Sequence, residues 1–194
     1  GMAEILVDHL QLKVGKPNLK KWQDLIKKLN SPANKVIIAI CGKYTHLQDS
    51  YKSIIEAFNH AGILNDTVVE LRWIDSEKIE KDGITNEFEG VSGVLICPGF
   101  GRRGIEGKIS VANYARTNKV PFLGICLGMQ CAVIEYARNE CDLEGANSTE
   151  FDDACSHPVI DLMETQTDVS QLGGTMRLGA YNCDVVEGSY AHKA

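Results

Sequence analysis

A cysteine set between two glycines, in the segment Gly124–Gly128 (GICLG), has the residue types of a nucleophile placed on a tight turn. Pro121–Ile125 is a short apolar run that predicts a buried strand, and Leu127–Ala137 carries apolar residues at helical spacing. The chain is therefore predicted to turn from strand to helix at Cys126, with small neighbours that let the thiol project. The positive end of the helix dipole would favour the reactive thiolate. A buried structural cysteine is the alternative for this pattern alone.

A second candidate element is the glycine-rich loop Pro98–Gly104 (PGFGRRG), which directly follows the apolar run Val91–Cys97. Glycines in such a loop let backbone N–H groups turn towards a negative oxygen, as an oxyanion hole requires. We expect the other donor to be the N–H of Leu127, the residue after the candidate nucleophile. A plain glycine turn is the alternative. The loop lacks the Lys-Ser/Thr pair of a phosphate-binding P-loop.

Strands and helices alternate from Lys35 onward. The predicted strands are Val36–Cys41, Val68–Ile74, Val91–Cys97 and Pro121–Ile125, and the predicted helices are Gln48–Ala61 (ending at Gly62), Ile109–Thr117 and the helix after Cys126. This alternation predicts an α/β fold with a mostly parallel sheet. Ligands of such sheets bind at the carboxyl ends of the strands, where both Cys126 and the glycine-rich loop fall.

Residues 1–34 differ from the rest of the chain. Trp22–Leu29 has the spacing of a short amphipathic helix, between a lysine-rich stretch and Asn30-Ser31-Pro32. We therefore predict an N-terminal linker or inter-domain arm over 1–34 and one globular domain over 35–194. An ordinary N-terminal helix of the same domain is the alternative.

The amino-acid composition argues against several kinds of partner and binding site. The net charge is −6 over 194 residues and no basic stripe is present, which argues against nucleic-acid and anionic-membrane partners. No apolar run approaches the roughly 20 residues that span a bilayer, and no signal-peptide pattern is present. The seven cysteines lack C-x-x-C spacing and the five histidines lack metal-ligand spacing. Reduced thiols, no metal and a cytoplasmic location are expected.

Five segments together resemble the class I (triad) glutamine amidotransferases and, within them, the CTP synthase family. They are Gly42–Tyr51 (GKYTHLQDSY), Gly99–Lys108 (GFGRRGIEGK), Gly124–Gln130 (GICLGMQ), Ala146–Phe151 (ANSTEF) and Leu172–Gly179 (LGGTMRLG). The resemblance extends from about Lys35 to about Cys183 and implies a flavodoxin-like, doubly wound sheet. It makes residues 35–194 a glutamine amidotransferase domain, and residues 1–34 resemble the linker that precedes it in the family.

The resemblance implies that Cys126 attacks the side-chain amide of L-glutamine, forms a glutamyl thioester and releases ammonia. The N–H groups of Gly99 and Leu127 would hold the oxyanion. The implied glutamine-binding positions are Gly99, Leu127, Gly128, Gln130, Glu150 and Arg177. Glu150 offers an acid for the substrate ammonium and Arg177 a cation for its carboxylate. Without the resemblance, each of these two residues reads as a solvated surface charge.

The resemblance also implies partners. Ammonia would travel to a synthase (amidoligase) domain of the same polypeptide, where ATP and Mg²⁺ support the amination of UTP to CTP in a homo-oligomeric enzyme. No cofactor is expected in the amidotransferase domain itself. GTP is the expected allosteric activator, with Phe100, Arg102 and Arg103 in the regulatory loop. From the residues alone, the two arginines are exposed loop cations.

The chain departs from the family's pattern in its triad. The family carries a triad His and Glu in an RHRYE-like segment, which is not present, so we expect both residues to lie beyond Ala194. Neither His157 nor His192 matches the triad position. Cys131, Cys141 and Cys155 (outside the motif) are expected to be buried or incidental thiols.

The glycine-rich loop is a second departure, since one glycine stands between Pro98 and Phe100 where the family has two. Counting back from Cys126 keeps Gly99 at the oxyanion position. Two other functions stay open. One is an amidotransferase that serves a different synthase, and the other is a regulatory nucleotide-binding module that kept the fold and lost activity.

Overall fold

The computed structural model describes residues 1–15, 18–162 and 182–193. In these residues the elements are α1 (Met2–His9), α2 (Lys20–Asn30), β1 (Asn34–Gly42), a 3-10 helix (Gln48–Tyr51), α3 (Lys52–Leu64), β2 (Thr67–Asp75), α4 (Ser76–Asp82), a second 3-10 helix (Asn86–Phe88), β3 (Gly93–Ile96), α5 (Ile105–Thr117), β4 (Phe122–Gly124), α6 (Leu127–Glu140), β5 (Ala146–Ser148), β6 (His157–Ile160) and α7 (Tyr190–Lys193). The Leu172–Gly179 segment, with Arg177, lies outside the described residues.

Within the described part of the chain, four strands form one sheet in the order β2-β1-β3-β4, and every neighbouring pair is parallel. This is the order of a flavodoxin-like doubly wound sheet, whose switch point lies between β1 and β3. A separate parallel pair joins β5 and β6. The predicted α/β fold with a parallel sheet is therefore confirmed.

The core lies on both faces of the sheet. On one face, α4 and α5 cover a buried cluster that includes Ala39, Cys41 and Ile96. On the other face, Ile40 and Leu95 pack with residues of α3. Because alternate residues of β1 and β3 are buried on opposite faces, these strands read as continuous apolar runs in the sequence. That property is why both could be recognised without the structure.

The predicted end of α3 at Gly62 is wrong, because the helix continues to Leu64. Gly62 is a packing glycine: a Cβ atom there would lie 2.5 Å from the backbone oxygen of Thr67, at the start of β2. The glycine lets the helix approach the strand closely instead of ending the helix.

Helix α4 was not predicted, and the predicted start of α5 at Ile109 is wrong, since that helix begins at Ile105. The Asp75 carboxylate caps α4 by accepting a 2.8 Å hydrogen bond from the N–H of Glu77. The two helices meet at Gly107, where a Cβ atom would lie closer than 3.0 Å to the backbone of Ser76. Close backbone contact therefore fixes α5 against α4.

The N-terminal helices carry no buried residue. Helix α2 covers the predicted Trp22–Leu29 helix and extends it by Lys20 and Lys21 at one end and by Asn30 at the other. The division of the chain at residue 34 stays a prediction. Among the helices of the described residues, none combines the length and the apolar character needed to cross a membrane.

Replacing Gly107 by Ala tests the contact between α4 and α5. Helix propensity alone would stabilise the protein by up to about 1 kcal/mol. We instead expect the free energy of unfolding, measured in urea, to fall by about 1–3 kcal/mol, because α4 must move away from the new methyl group. The matched control is Ser110→Ala, at an exposed position of the same helix, with an expected change within about 0.5 kcal/mol. A Gly107→Ala protein as stable as the control would contradict the close packing.

Candidate active site

Cys126 stands at the junction of β4 and α6 in a strained backbone conformation. Its φ is +54° and its ψ is −108°, outside the regions that L-residues ordinarily adopt. Such a conformation costs about 1–3 kcal/mol and persists only where the surroundings enforce it. Cys126 is exposed and occupies the N-cap position of a 14-residue helix, where its thiol makes no capping hydrogen bond. The turn from strand to helix that the sequence predicts is therefore present.

The two glycines around Cys126 enforce this turn. A Cβ atom on Gly124 would lie 2.5 Å from the carbonyl oxygen of Gly128, and one on Gly128 would lie 2.9 Å from the carbonyl carbon of Ile96. Three backbone segments are thus in direct contact, with no room for a side chain between them. The G-x-C-x-G spacing follows from this packing.

Two backbone N–H groups, one directly after Cys126 and one in the glycine-rich loop, have no acceptor among the described residues. The N–H groups of Met129 and Gln130 donate to the carbonyl oxygen of Cys126, at 3.0 and 3.1 Å. Those of Gly99 and Leu127 donate no hydrogen bond to any of the described residues. Gly99 and Leu127 also lie together, since a Cβ atom on Gly99 would be 3.4 Å from Leu127 Cδ2. Gln130 is half-buried on the first turn of α6.

The glycine-rich loop is held from two sides. The N–H of Gly101 donates a 2.7 Å hydrogen bond to Glu150 Oε1, from the turn after β5. Lys43, directly after β1, donates from Nζ to the carbonyl oxygen of Phe100. The structure therefore brings Glu150 to the loop that contains Gly99, although the two are far apart in sequence.

The two arginines of the loop are exposed, as is Phe100. Arg103 pairs with Glu77 at 3.1 Å and lies over the Tyr44 ring, 5.7 Å from its centroid. Arg102 makes no ion pair with any described residue. One of the two predicted regulatory cations is thus engaged within the fold, and the other points to solvent.

Sequence reasoning missed two lysines beside the loop, Lys43 and Lys108. Lys108 is completely buried and donates a 3.0 Å hydrogen bond from Nζ to the carbonyl oxygen of Cys97. Burial lowers the pKa of both lysines. A signal was present for Lys108, which lies on the apolar stripe of α5 at helical spacing from Ile105 and Ala112.

No general base is identified in the described residues. His157 begins β6 and His192 lies in α7, and neither forms a hydrogen bond with the Cys126 thiol in this part of the chain. All seven cysteines are free. Over residues 1–15, 18–162 and 182–193, no cluster of three His, Cys, Asp or Glu side chains could hold a metal ion.

This arrangement suits nucleophilic attack on a carbonyl carbon. An exposed thiol stands at a helix N-terminus, the N–H of the next residue donates to none of the described residues, and a carboxylate accepts from the glycine-rich loop, which contains a second N–H of that kind. Groups of these types can supply a nucleophile, donors for a developing oxyanion and an anchor for a substrate cation.

Two relatives of this chain are CTP synthases. The chain is 54% identical over 194 residues to the CTP synthase of Syntrophus aciditrophicus and 54% identical over 195 residues to that of Geotalea uraniireducens. Both matches cover 100% of this chain and 36% of the relative. The chain therefore spans about a third of the length of these relatives.

A solved structure has the same fold. The glutaminase domain of Trypanosoma brucei CTPS with bound acivicin superposes with a TM-score of 0.64 and 36% sequence identity, over 69% of this chain and 52% of that one. Residues 46–193 match the sequence model of the family described as "Glutamine amidotransferase class-I". Because this match covers well over half of its residues, the chain belongs to the class I glutamine amidotransferase family.

Proposed function

We propose that the chain hydrolyses the side-chain amide of L-glutamine with Cys126 as the nucleophile. The observation that carries the proposal is the strained, exposed Cys126 at the start of α6, held there by the glycine contacts on either side. Strain that the surrounding packing enforces is typical of functional sites. The CTP synthase relatives and the glutaminase-domain neighbour support the same reaction.

The reaction begins when Cys126 Sγ forms a bond to the amide carbon, and the carbonyl π electrons move to the oxygen. The N–H groups of Gly99 and Leu127 would stabilise this oxyanion. When this tetrahedral intermediate collapses, the C–N bond breaks. The nitrogen takes up a proton and leaves as ammonia. Water then cleaves the thioester, which releases glutamate and restores the thiol. A general base must move these protons, and the family resemblance implies a histidine in that role.

Glutamine would bind between the loop and the first turn of α6. Glu150 uses Oε1 for the Gly101 N–H, whereas Oε2 accepts no hydrogen bond from the described residues and can take the substrate ammonium. Arg177, which lies outside the described residues, is proposed to bind the substrate carboxylate. Gly128 and Gln130 would line the site from α6.

The ammonia would serve a synthase domain of the same polypeptide. We propose that this domain uses ATP and Mg²⁺ to convert UTP to CTP, within a homo-oligomer in the cytoplasm. The identity to CTP synthases over the whole chain supports this synthase over any other, and the seven free cysteines suit a reducing compartment. The net charge of −6 disfavours nucleic-acid and anionic-membrane partners.

Labelling with acivicin followed by mass spectrometry tests the nucleophile. In the protein at its full natural length, we expect acivicin to modify Cys126 and glutamine to protect it. Cys126→Ala should lower glutamine hydrolysis by about 10⁴-fold or more, because no other group can form the thioester. The same variant should still synthesise CTP when free ammonia is supplied in place of glutamine. The matched control is Cys141→Ala, an exposed cysteine at the other end of α6, with full activity expected.

Absence of labelling in the full-length protein would contradict the proposal and favour a regulatory module that has lost activity. Loss of both glutamine-dependent and ammonia-dependent synthesis in Cys126→Ala would instead assign Cys126 a structural role. If the full-length protein makes a product other than CTP, the proposed glutamine hydrolysis stands, but the proposed synthase domain is wrong.

GTP is proposed to activate this site through the loop that contains Phe100 and Arg102. Both side chains are exposed, and Arg102 has no ion pair among the described residues, so its guanidinium is accessible to a phosphate. Arg103 would contribute less to GTP binding, because its guanidinium already contacts Glu77 and the Tyr44 ring.

Replacing Arg102 by Ala tests this role. We expect the GTP concentration for half-maximal activation of glutamine hydrolysis to rise by about 10-fold, the effect of one lost charge-assisted hydrogen bond. Lys119→Ala removes a cation from the exposed turn after α5 and serves as the control. An unchanged GTP response in Arg102→Ala would remove this residue from the nucleotide site.

A further inference from the structure

Lys108 is a buried lysine without an anionic partner among the described residues. It is the largest fully buried side chain there, and its one hydrogen-bond acceptor in that part of the chain is the neutral carbonyl oxygen of Cys97, 3.0 Å from Nζ. No carboxylate oxygen of the described residues lies within 4.0 Å of Nζ. Lysine is almost never fully buried unless it is paired. Such an exception calls for an anion that the described residues do not supply.

The thiols around Lys108 do not supply that anion. Cys41 on β1, Cys97 after β3 and Cys131 on α6 all face the ammonium. Burial raises the pKa of Cys97 to about 12 and that of Cys131 to about 11, and it raises the pKa of Cys41 further. All three thiols are therefore neutral at pH 7. Lys43, the other charged group that faces Lys108, is a second cation.

The amine of Lys108 lies close to Gly99, whose N–H is one of the proposed oxyanion donors. A Cβ atom on Gly99 would be 3.8 Å from Lys108 Nζ and 3.4 Å from Leu127 Cδ2, so both groups pack against the inner side of Gly99. The N–H groups of Gly99 and Leu127 are the proposed oxyanion donors. Negative charge would thus develop near a buried cation, where the low local dielectric strengthens their attraction.

We propose that Lys108 is a positioning residue of the oxyanion hole, which fixes the end of β3 through the Cys97 carbonyl and offsets from behind the charge on the amide oxygen. This inference rests on the proposed glutamine hydrolysis. The anion that compensates Lys108 is the tetrahedral intermediate itself. An interaction that strengthens only when this anion forms lowers the barrier without tightening substrate binding.

Lys108→Met in the full-length protein tests the proposal. Methionine has a similar length and is apolar, so it suits a pocket lined by thiols. We expect kcat for glutamine hydrolysis to fall by about 10- to 100-fold, less than the roughly 100- to 1,000-fold cost of losing a direct oxyanion donor. KM should stay unchanged, because the substrate's charged groups bind elsewhere. The matched control is Lys119→Met, which removes an exposed lysine just after the same helix.

Iodoacetamide distinguishes positioning from a general structural role, because it alkylates Cys126 without using the oxyanion hole. The proposal requires equal rates of Cys126 alkylation in Lys108→Met and in the unaltered protein. A kcat within twofold of the unaltered protein overturns it. Slower alkylation together with a lower kcat also overturns it, since the whole site is then disturbed. If the unaltered protein hydrolyses no glutamine, the proposed function fails first, and this inference fails with it.

A measurement on the unaltered protein covers the case in which Lys108→Met does not fold. Cys126 loses its thiol proton to water, Sγ forms a bond to the carbonyl carbon of an aldehyde analogue of glutamine, and the carbonyl π electrons move to the oxygen, which stays an anion held by the oxyanion donors. The titration of Lys108, followed by NMR with ¹³Cε-lysine, should move to higher pH in this adduct, because a nearby negative charge favours the protonated amine. An unchanged titration midpoint overturns the proposal.

Discussion

The contact of bare backbone between β3, β4 and α6 is the constraint on which the site depends. Gly128 lies against Ile96, and Gly124 lies against Gly128, at distances that leave no space for a Cβ atom. The chain must therefore reverse from strand to helix within Ile125 and Cys126, and the positive φ of Cys126 is the result. The same packing presents the thiol to solvent and leaves the Leu127 N–H without a partner in the described residues.

The loop opposite the cysteine takes its shape from three other parts of the chain. Lys43 holds the Phe100 carbonyl, Glu150 holds the Gly101 N–H, and Lys108 holds the carbonyl of Cys97 at the end of β3. Each contact fixes a peptide unit close to Gly99. A site that must hold an oxyanion without reorganising requires such fixed dipoles. Glu150 would therefore link glutamine binding to the conformation of the loop.

The sequence allowed the sheet and the position of Cys126 to be predicted, because both depend on local patterns. Strand β1 is buried on both faces and therefore appears as an unbroken apolar run, and the glycines around Cys126 mark the tight turn. Helix α4 was missed because its seven residues are too few for an apolar period. The contact between Glu150 and Gly101 was missed for another reason. It joins residues that only the packing of β5 beside the loop brings together.

Among the described residues, two acidic or basic side chains are buried, Glu135 and Lys108, and their surroundings differ. Burial alone would raise the pKa of the Glu135 carboxyl, but hydrogen bonds from Arg116, Asn113 and Asn139 outweigh it and hold that pKa below its usual value. That charge is compensated in the resting structure, as stability requires. Lys108 is as deeply buried, yet it meets one neutral carbonyl and three protonated thiols. A buried lysine close to Gly99, with no anion to compensate it among the described residues, is better explained by the anion that would form in the proposed reaction than by the stability of the fold.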